Sequence, residues 1–309
     1  MTKDLVSIVI PIYNEELIID QLFNRTIKAF SLFDNFEIIC VNDGSKDKSL
    51  EKMLAYHQED ERFKVVDLSK NCGHQKAVFA GLSVAKGEYI GVMDGDLQDP
   101  PELFADFLTK AKEGFEVVYA VRKKRKEGIV KKSAYWIFYR LFQKMSSINI
   151  PLDSGDFCLM HRVVLDQILA MPEQALYIRG LRAFAGFNQY GFEYERNERF
   201  AGDAKYGFSE LFSLASNGIF SFSKIPIKFM RIMGYGAISI SLIYSLKVLF
   251  NYVVNDNAPE GFVSLILAII FFSGVQLLSL GILGEYISRI YDETRKRPLY
   301  IIRKYWDKN

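Results

Sequence analysis

The chain has 309 residues, of which 50% are hydrophobic, and a formal net charge of +2. That length allows two domains, and so small a positive balance argues against a protein whose main task is to grip nucleic acid. The three cysteines, Cys40, Cys72 and Cys158, show no metal-type spacing, and in a cytoplasmic domain they read as reduced thiols.

Residues 1–200 alternate short β-rich runs with amphipathic stretches. Residues 6–10, 36–41, 63–67, 89–93 and 117–121 read as strands. Residues 16–30 have helical spacing, with Leu17, Phe23, Ile27 and Phe30 on related faces; 48–58 and 74–86 read as further helices. Pro100-Pro101-Glu102 opens another, since proline is tolerated in a first turn. A βαβα order implies a largely parallel sheet with helices on both faces, and ligands of such sheets sit at the carboxyl ends of the strands. Polar clusters fall at those ends. Tyr13-Asn14-Glu15 follows the first strand, Asn42-Asp43-Gly44-Ser45 the second and Lys70-Asn71 the third. Asp94 and Asp96 follow the fourth strand, and Arg122 ends the fifth.

The run Val92-Met93-Asp94-Gly95-Asp96-Leu97-Gln98-Asp99 is the most telling. An apolar strand stops at two carboxylates one residue apart, which suits a hard cation such as Mg²⁺ or Mn²⁺ shared with substrate phosphates. Asp94, Asp96 and Gln98 are the candidate ligands; the plainer reading is a surface turn, for which Asp-Gly is ordinary chemistry. The Gly-x-Gly-x-x-Gly and Walker-type patterns are absent, which weakens dinucleotide-binding and P-loop readings. Lys123 to Lys126 read as a solvated loop, whereas Arg122 belongs to the strand end.

The apolar residues concentrate near the carboxyl terminus. Residues 261–284 carry no charge and as a helix would be about 36 Å long, enough to span a bilayer. Residues 232–254 carry only Lys247, whose stem can snorkel or whose charge can pair inside a bundle. Lys224, Lys228 and Arg231 precede the first span; Arg289, Arg295, Lys296, Arg297, Arg303 and Lys304 follow the second, and the connector 255–260 has neither Lys nor Arg. The positive-inside rule puts both ends in the cytoplasm. Residues 209–222 suggest an interfacial helix, and the start of the chain does not read as a signal peptide.

Several motifs resemble a known family. Pro11-Ile-Tyr-Asn-Glu15, Val41-Asn-Asp-Gly-Ser-Lys-Asp47 and Asp94-Gly-Asp-Leu-Gln-Asp-Pro-Pro-Glu102 are similar to the nucleotide-sugar-binding motifs of inverting family 2 glycosyltransferases with the GT-A fold. Ser69-Lys-Asn-Cys-Gly-His-Gln75, Gly155-Asp-Phe-Cys-Leu-Met-His-Arg162 and Arg199-Phe-Ala-Gly-Asp-Ala-Lys-Tyr206 resemble the polyisoprenyl-phosphate branch. That branch includes bacterial undecaprenyl-phosphate glucosyltransferases and dolichyl-phosphate mannose synthases. Cys72, Cys158 and His161 depart from the pattern and are expected to border the site.

The resemblance implies an α/β GT-A domain with a Rossmann-like, mostly parallel sheet over residues 1–206, facing the cytoplasm. An interfacial segment follows at 207–228, then a two-helix transmembrane hairpin at 229–288, with spans at about 232–254 and 261–286, and a basic cytoplasmic tail at 289–309. It implies a multi-pass enzyme of the inner (plasma) membrane. The enzyme would move one sugar, from UDP-glucose or a related donor, onto undecaprenyl phosphate with Mg²⁺ or Mn²⁺. Pro11, Tyr13, Glu15, Asp43, Lys70, Asp94 and Arg122 would bind the nucleotide-sugar. Asp96 and Asp156 would be catalytic, Asp156 as a base or as an orienting carboxylate. Arg199 and Lys205 would hold acceptor phosphate. His74 reads as a polar residue at a helix start. Partners would be the donor, the polyprenyl phosphate, the bilayer and a second copy through the membrane helices. Other readings are another lipid acceptor, a GDP-mannose-dependent mannose synthase, and a non-catalytic nucleotide-sugar-binding anchor.

Overall fold

The computed structural model describes residues 5–122, 154–171, 173–174, 176–195, 225–255 and 261–307. The expected alternation is present: β1 (Val6–Ile12), α1 (Ile19–Phe30), β2 (Phe36–Asn42), α2 (Ser49–Glu59), β3 (Phe63–Leu68), α3 (His74–Val84), β4 (Tyr89–Val92), α4 (Leu103–Lys112) and β5 (Val117–Arg122). Beyond these lie β6 (Ser154–His161), α5 (Arg162–Ala170), α6 (Ile178–Ala185), β7 (Gln189–Tyr194), α7 (Ile225–Asn255), α8 (Phe262–Arg295) and β8 (Ile302–Trp306).

The strands form a single sheet in the order β7-β5-β6-β4-β1-β2-β3-β8. β4, β1, β2 and β3 are mutually parallel, as the unbroken apolar runs of β1 and β2 require for strands covered on both faces. β5 and β7 are parallel to each other. β6 lies between β4 and β5 and runs against both. Its reversal brings its first residues, Ser154 to Asp156, to the rim where β4 and β5 end.

Two apolar layers cover the sheet. One joins Ile19, Leu22, Phe23 and Phe30 of α1 to Phe104 and Phe107 of α4 and to Phe157. The other joins Ala77 to Leu82 of α3 to Val164, Leu165 and Ile168 of α5 and Leu181 of α6. Successive side chains of a strand point to opposite faces. Phe157 therefore enters the first layer, with its ring 5.1 Å from that of Phe104, while Asp156 and Cys158 face α3 and α6.

The segment expected as a basic tail contains β8, which pairs antiparallel with β3 at the sheet edge. A buried polar cluster secures it. Lys64 Nζ reaches Glu37 at 2.8 Å and Asp307 at 3.2 Å, and Lys86 Nζ reaches Asp307 at 2.7 Å. Glu37 also accepts from Ser7 Oγ at 2.5 Å and from Lys86 N at 2.8 Å.

Two compact units are present, one holding the sheet and its helices, the other holding α7 and α8. Among the described residues one helix is long and apolar enough to cross a membrane, Phe271–Arg295 within α8, with mean hydropathy 1.2; α7 contributes a shorter apolar stretch, Ile232–Tyr244. The helix runs past the expected end of the second span, so Arg289 lies on it and pairs with Glu285 one turn back at 2.8 Å. The expected interfacial segment 209–222 and the centre of the connector lie outside the described residues.

Candidate active site

The rim formed by the carboxyl ends of β1 to β5 carries Pro11, Tyr13, Glu15, Asp43, Lys70, Asp94, Asp96, Gln98 and Arg122. β6 adds Asp156. Arg199 and Lys205 lie outside the described residues.

On one side, the loops after β2 and β3 are fused into one unit. Asp43 accepts from the backbone N–H groups of Cys72 at 2.6 Å and Gly73 at 3.0 Å. Burial raises its carboxyl above the usual range, opposed by those two hydrogen bonds and by His74. Gly44 has φ +68, and a Cβ there would meet Asn71 N at 2.6 Å, so only glycine lets the two backbones touch. Asn14 joins the same unit: its amide N–H donates to Ser45 Oγ at 3.1 Å, and its side-chain oxygen accepts from Lys46 N at 2.8 Å. Glu15 and Glu16 are held likewise by Ser49 and Asp47.

At the centre, the end of β4 turns sharply. A Cβ on Gly95 would lie 3.1 Å from Pro11 O, which explains the small residue between the two aspartates. Leu97 is buried with φ 60, an uncommon conformation for a leucine. Gln98 N donates to Asp96 Oδ1 at 3.2 Å. Among the described residues no group of three or more His, Cys, Asp or Glu side chains forms a metal cage. The pair Asp94 and Asp96 instead offers hard oxygens at an open rim, the donor set suited to a cation completed by substrate phosphates.

On the other side, Asp156 is the hub of a network. Arg179 Nε donates to its Oδ1 at 2.8 Å and Arg179 Nη2 to its Oδ2 at 3.2 Å. Gln75 Nε2 donates to Oδ2 at 2.9 Å, and Ile178 N donates to Gln75 Oε1 at 2.9 Å, which ties α3, β6 and α6 together. His74 Nε2 lies 3.3 Å from Asp156 Oδ2 and 3.5 Å from Asp94 Oδ1, bridging the two carboxylates. Burial alone would raise Asp156; the Arg179 charge and the hydrogen bonds from His74 and Arg179 outweigh it and hold the carboxyl well below its usual range. Burial works against the His74 cation, but its hydrogen bond to Asp156 and the charges of Asp94 and Asp156 raise it to about 9.

Arg122 ends β5 with Nη2 beside Gly155, 3.4 Å from where a Cβ would stand. It interacts with Tyr194, whose hydroxyl donates to buried Asp99 at 2.5 Å.

Two readings change. His74 does open α3, yet its ring faces the site and links Asp94 to Asp156. His161 does not border the site. It pairs with Tyr89 at the start of β4, on the opposite rim, where its Nδ1 accepts from Val163 N at 3.2 Å. Sequence reasoning missed Arg179 and gave Gln75 no role. Arg179 lies in a segment with no pattern beyond helical spacing; Gln75 ends the Ser69–Gln75 motif, and its place beside His74 is the available signal.

Comparisons with known proteins give the chain its family. The family described as glycosyl transferase family 2 matches residues 7–169. The uncharacterised glycosyltransferase YkcC of Bacillus subtilis is 45% identical, over 96% of this chain and 93% of that protein. A prophage bactoprenol glucosyl transferase homolog of Escherichia coli is 38% identical, over 97% of this chain and 98% of that protein. Among solved structures, a glucosyl-3-phosphoglycerate synthase from Mycobacterium tuberculosis is 20% identical with TM-score 0.47, covering 70% of this chain and 78% of that one. With a family match over more than half its length and near-full-length relatives of this identity, the chain belongs to glycosyl transferase family 2 and is a glycosyltransferase.

Proposed function

We propose that the enzyme transfers one glucose from UDP-glucose to undecaprenyl phosphate, with inversion, at the cytoplasmic face of the inner membrane. The observation that carries this reading is the rim itself: fused nucleotide-side loops, a central carboxylate pair and an arginine-held Asp156 converge there. The names of relatives 38% identical over nearly the full chain support bactoprenol and glucose as acceptor and sugar.

In this reading Pro11, Tyr13, Glu15, Asp43 and Lys70 bind base and ribose, and Arg122 a donor phosphate. Arg199 and Lys205, by resemblance, hold the acceptor phosphate. Asp94, Asp96 and Gln98 would hold Mg²⁺ or Mn²⁺, which when bound neutralises the departing diphosphate. A phosphate monoester has its second pKa at about 6, so the acceptor is already largely ionised and needs no strong base. Asp156 is therefore an orienting carboxylate: it keeps Arg179, Gln75 and His74 fixed beside the reacting groups.

The fold also bears on the membrane. β8, which follows α8 in the chain, shares one sheet with β1 to β7, which precede α7. If α8 crosses, a second crossing must precede it, and α7 is the helix available. This connectivity, with the Lys and Arg residues flanking α7 and α8, supports a multi-pass hairpin with a cytoplasmic catalytic domain.

The test is a donor panel. Purified enzyme is given undecaprenyl phosphate, Mg²⁺ and UDP-glucose, UDP-galactose, UDP-N-acetylglucosamine or GDP-mannose, with lipid products read by mass spectrometry. The expected result is a single hexose added from UDP-glucose. Product from GDP-mannose alone would make the enzyme a mannose synthase.

A further inference from the structure

No step of the sugar transfer itself calls for β8. The chain leaves the sheet, forms two long helices, and then returns to add an edge strand beside β3. An edge strand needs no such return for stability alone, because β3 could be covered by any local segment.

What β8 carries to the rim is Arg303. Its Nη2 donates to Ser69 O at 2.7 Å, and its Nη1 lies 3.4 Å from Asp67 Oδ2. The neighbouring backbone reinforces the contact, since Ser69 N donates to Ile301 O at 2.9 Å. Asp67 is buried and its other oxygen accepts from Asn42 Nδ2 at 2.7 Å. Asn42 Oδ1 in turn accepts from Ser45 N at 3.1 Å, and Ser45 Oγ accepts from Asn14 N at 3.1 Å. A belt of hydrogen bonds thus crosses the ends of β8, β3, β2 and β1. The loops it holds bear Asp43 and Lys70.

We propose that β8 is a working part of the donor-nucleotide site, with Arg303 as the positioning residue that fixes the Asn42–Ser45 and Ser69–Lys70 loops for the nucleotide. This rests on the donor reading of the rim. The guanidinium fork offers separate nitrogens to Ser69 O and to Asp67, whereas a lysine ammonium would have to serve both from one atom. The competing role for Arg303, whose side chain is 61% exposed, is that of a basic residue meeting anionic headgroups, which neutral detergent abolishes.

The experiment uses the full chain in neutral detergent with Mg²⁺. UDP binding is measured by calorimetry, and donor KM and kcat are measured for wild type, Arg303→Ala and Arg303→Lys; amide exchange is followed at residues 42–45 and 69–73. Arg303→Ala should weaken UDP binding and raise donor KM by roughly three- to tenfold, the scale of one ordinary hydrogen bond, as suits a side chain largely open to water. The effect should sit in KM rather than kcat, Arg303→Lys should recover part of it, and the named amides should exchange faster. Wild-type UDP affinity and unchanged exchange in Arg303→Ala would overturn the proposal. A wild-type enzyme that does not bind UDP, yet shows product with another nucleotide donor, would overturn the UDP assignment alone, and the same variants are then read with that nucleotide. A wild type that binds no nucleotide removes the donor reading and this proposal together.

Discussion

Replacing Asp156 by asparagine separates an orienting carboxylate from a general base. Donors from Arg179, Gln75 and His74 reach its two oxygens at 2.8–3.3 Å, and a carboxylate has about four lone-pair sites to offer. Little acceptor capacity is left for a substrate proton, and the depressed pKa says the same. Asparagine removes the charge and turns one oxygen into a donor facing other donors. Each charge-assisted bond is worth about 1.5–3 kcal/mol, and Arg179, 31% exposed, regains part of its loss from water. A net weakening of about 2–3 kcal/mol converts to a fall in kcat of about 30- to 150-fold. Arg179→Ala should fall by a similar factor, because it releases the same network, and the double variant should be little worse than either single one. The assay is steady-state transfer to undecaprenyl phosphate, with thermal melting as the folding control. Under the base reading, Arg179→Ala would free the carboxylate and raise its pKa, sparing activity. Near-wild-type Arg179→Ala beside an Asp156→Asn loss of about 10³- to 10⁴-fold, the upper range for general-base removal, would refute the orienting role.

Asp96→Ala should reduce transfer by at least ~10²–10³-fold, as for loss of one electrostatic stabiliser, with melting unchanged because no core volume is removed; full activity in EDTA would sink the metal assignment. A cysteine placed at Asn257, in a background lacking Cys40, Cys72 and Cys158, should label from outside intact cells. Labelling only after permeabilisation would contradict the hairpin. For His74, whose folded pKa is raised from 6.5 to about 9, the stabilisation is fully present below pH about 6.5 and lost as pH rises through about 9. The cation-free protein should therefore melt at lower temperature above pH 9, and His74→Gln should flatten that limb. An unaltered melting profile in the variant would count against the bridge between Asp94 and Asp156.

The parallel half of the fold was legible because its strands are apolar on both faces and end at polar clusters; β1 to β5 and α1 to α4 all stand where periodicity put them, within a few residues. The rim position of Asp94, Asp96, Asp43 and Arg122 followed from that alternation. β6, β7 and β8 were not legible, since reversal and edge pairing are set by long-range register that leaves no local mark. The basic residues after α8 suggested a tail, because charge masks the strand pattern of Ile302–Trp306. Arg179 was invisible for a related reason. Its partner lies on another element, and only the reversed β6 brings Asp156 across to α6.

Transfer to a lipid phosphate rather than to a lipid alcohol is decided by a single pair of acceptors. The enzyme, UDP-glucose and Mg²⁺ are incubated with undecaprenyl phosphate or with undecaprenol, and products are read by mass spectrometry and by the anomeric coupling in NMR. The expected products are one β-linked hexose on the phosphate lipid and none on the alcohol. Equal product on undecaprenol, or an α-linked product on the phosphate, would contradict inverting transfer to the lipid phosphate.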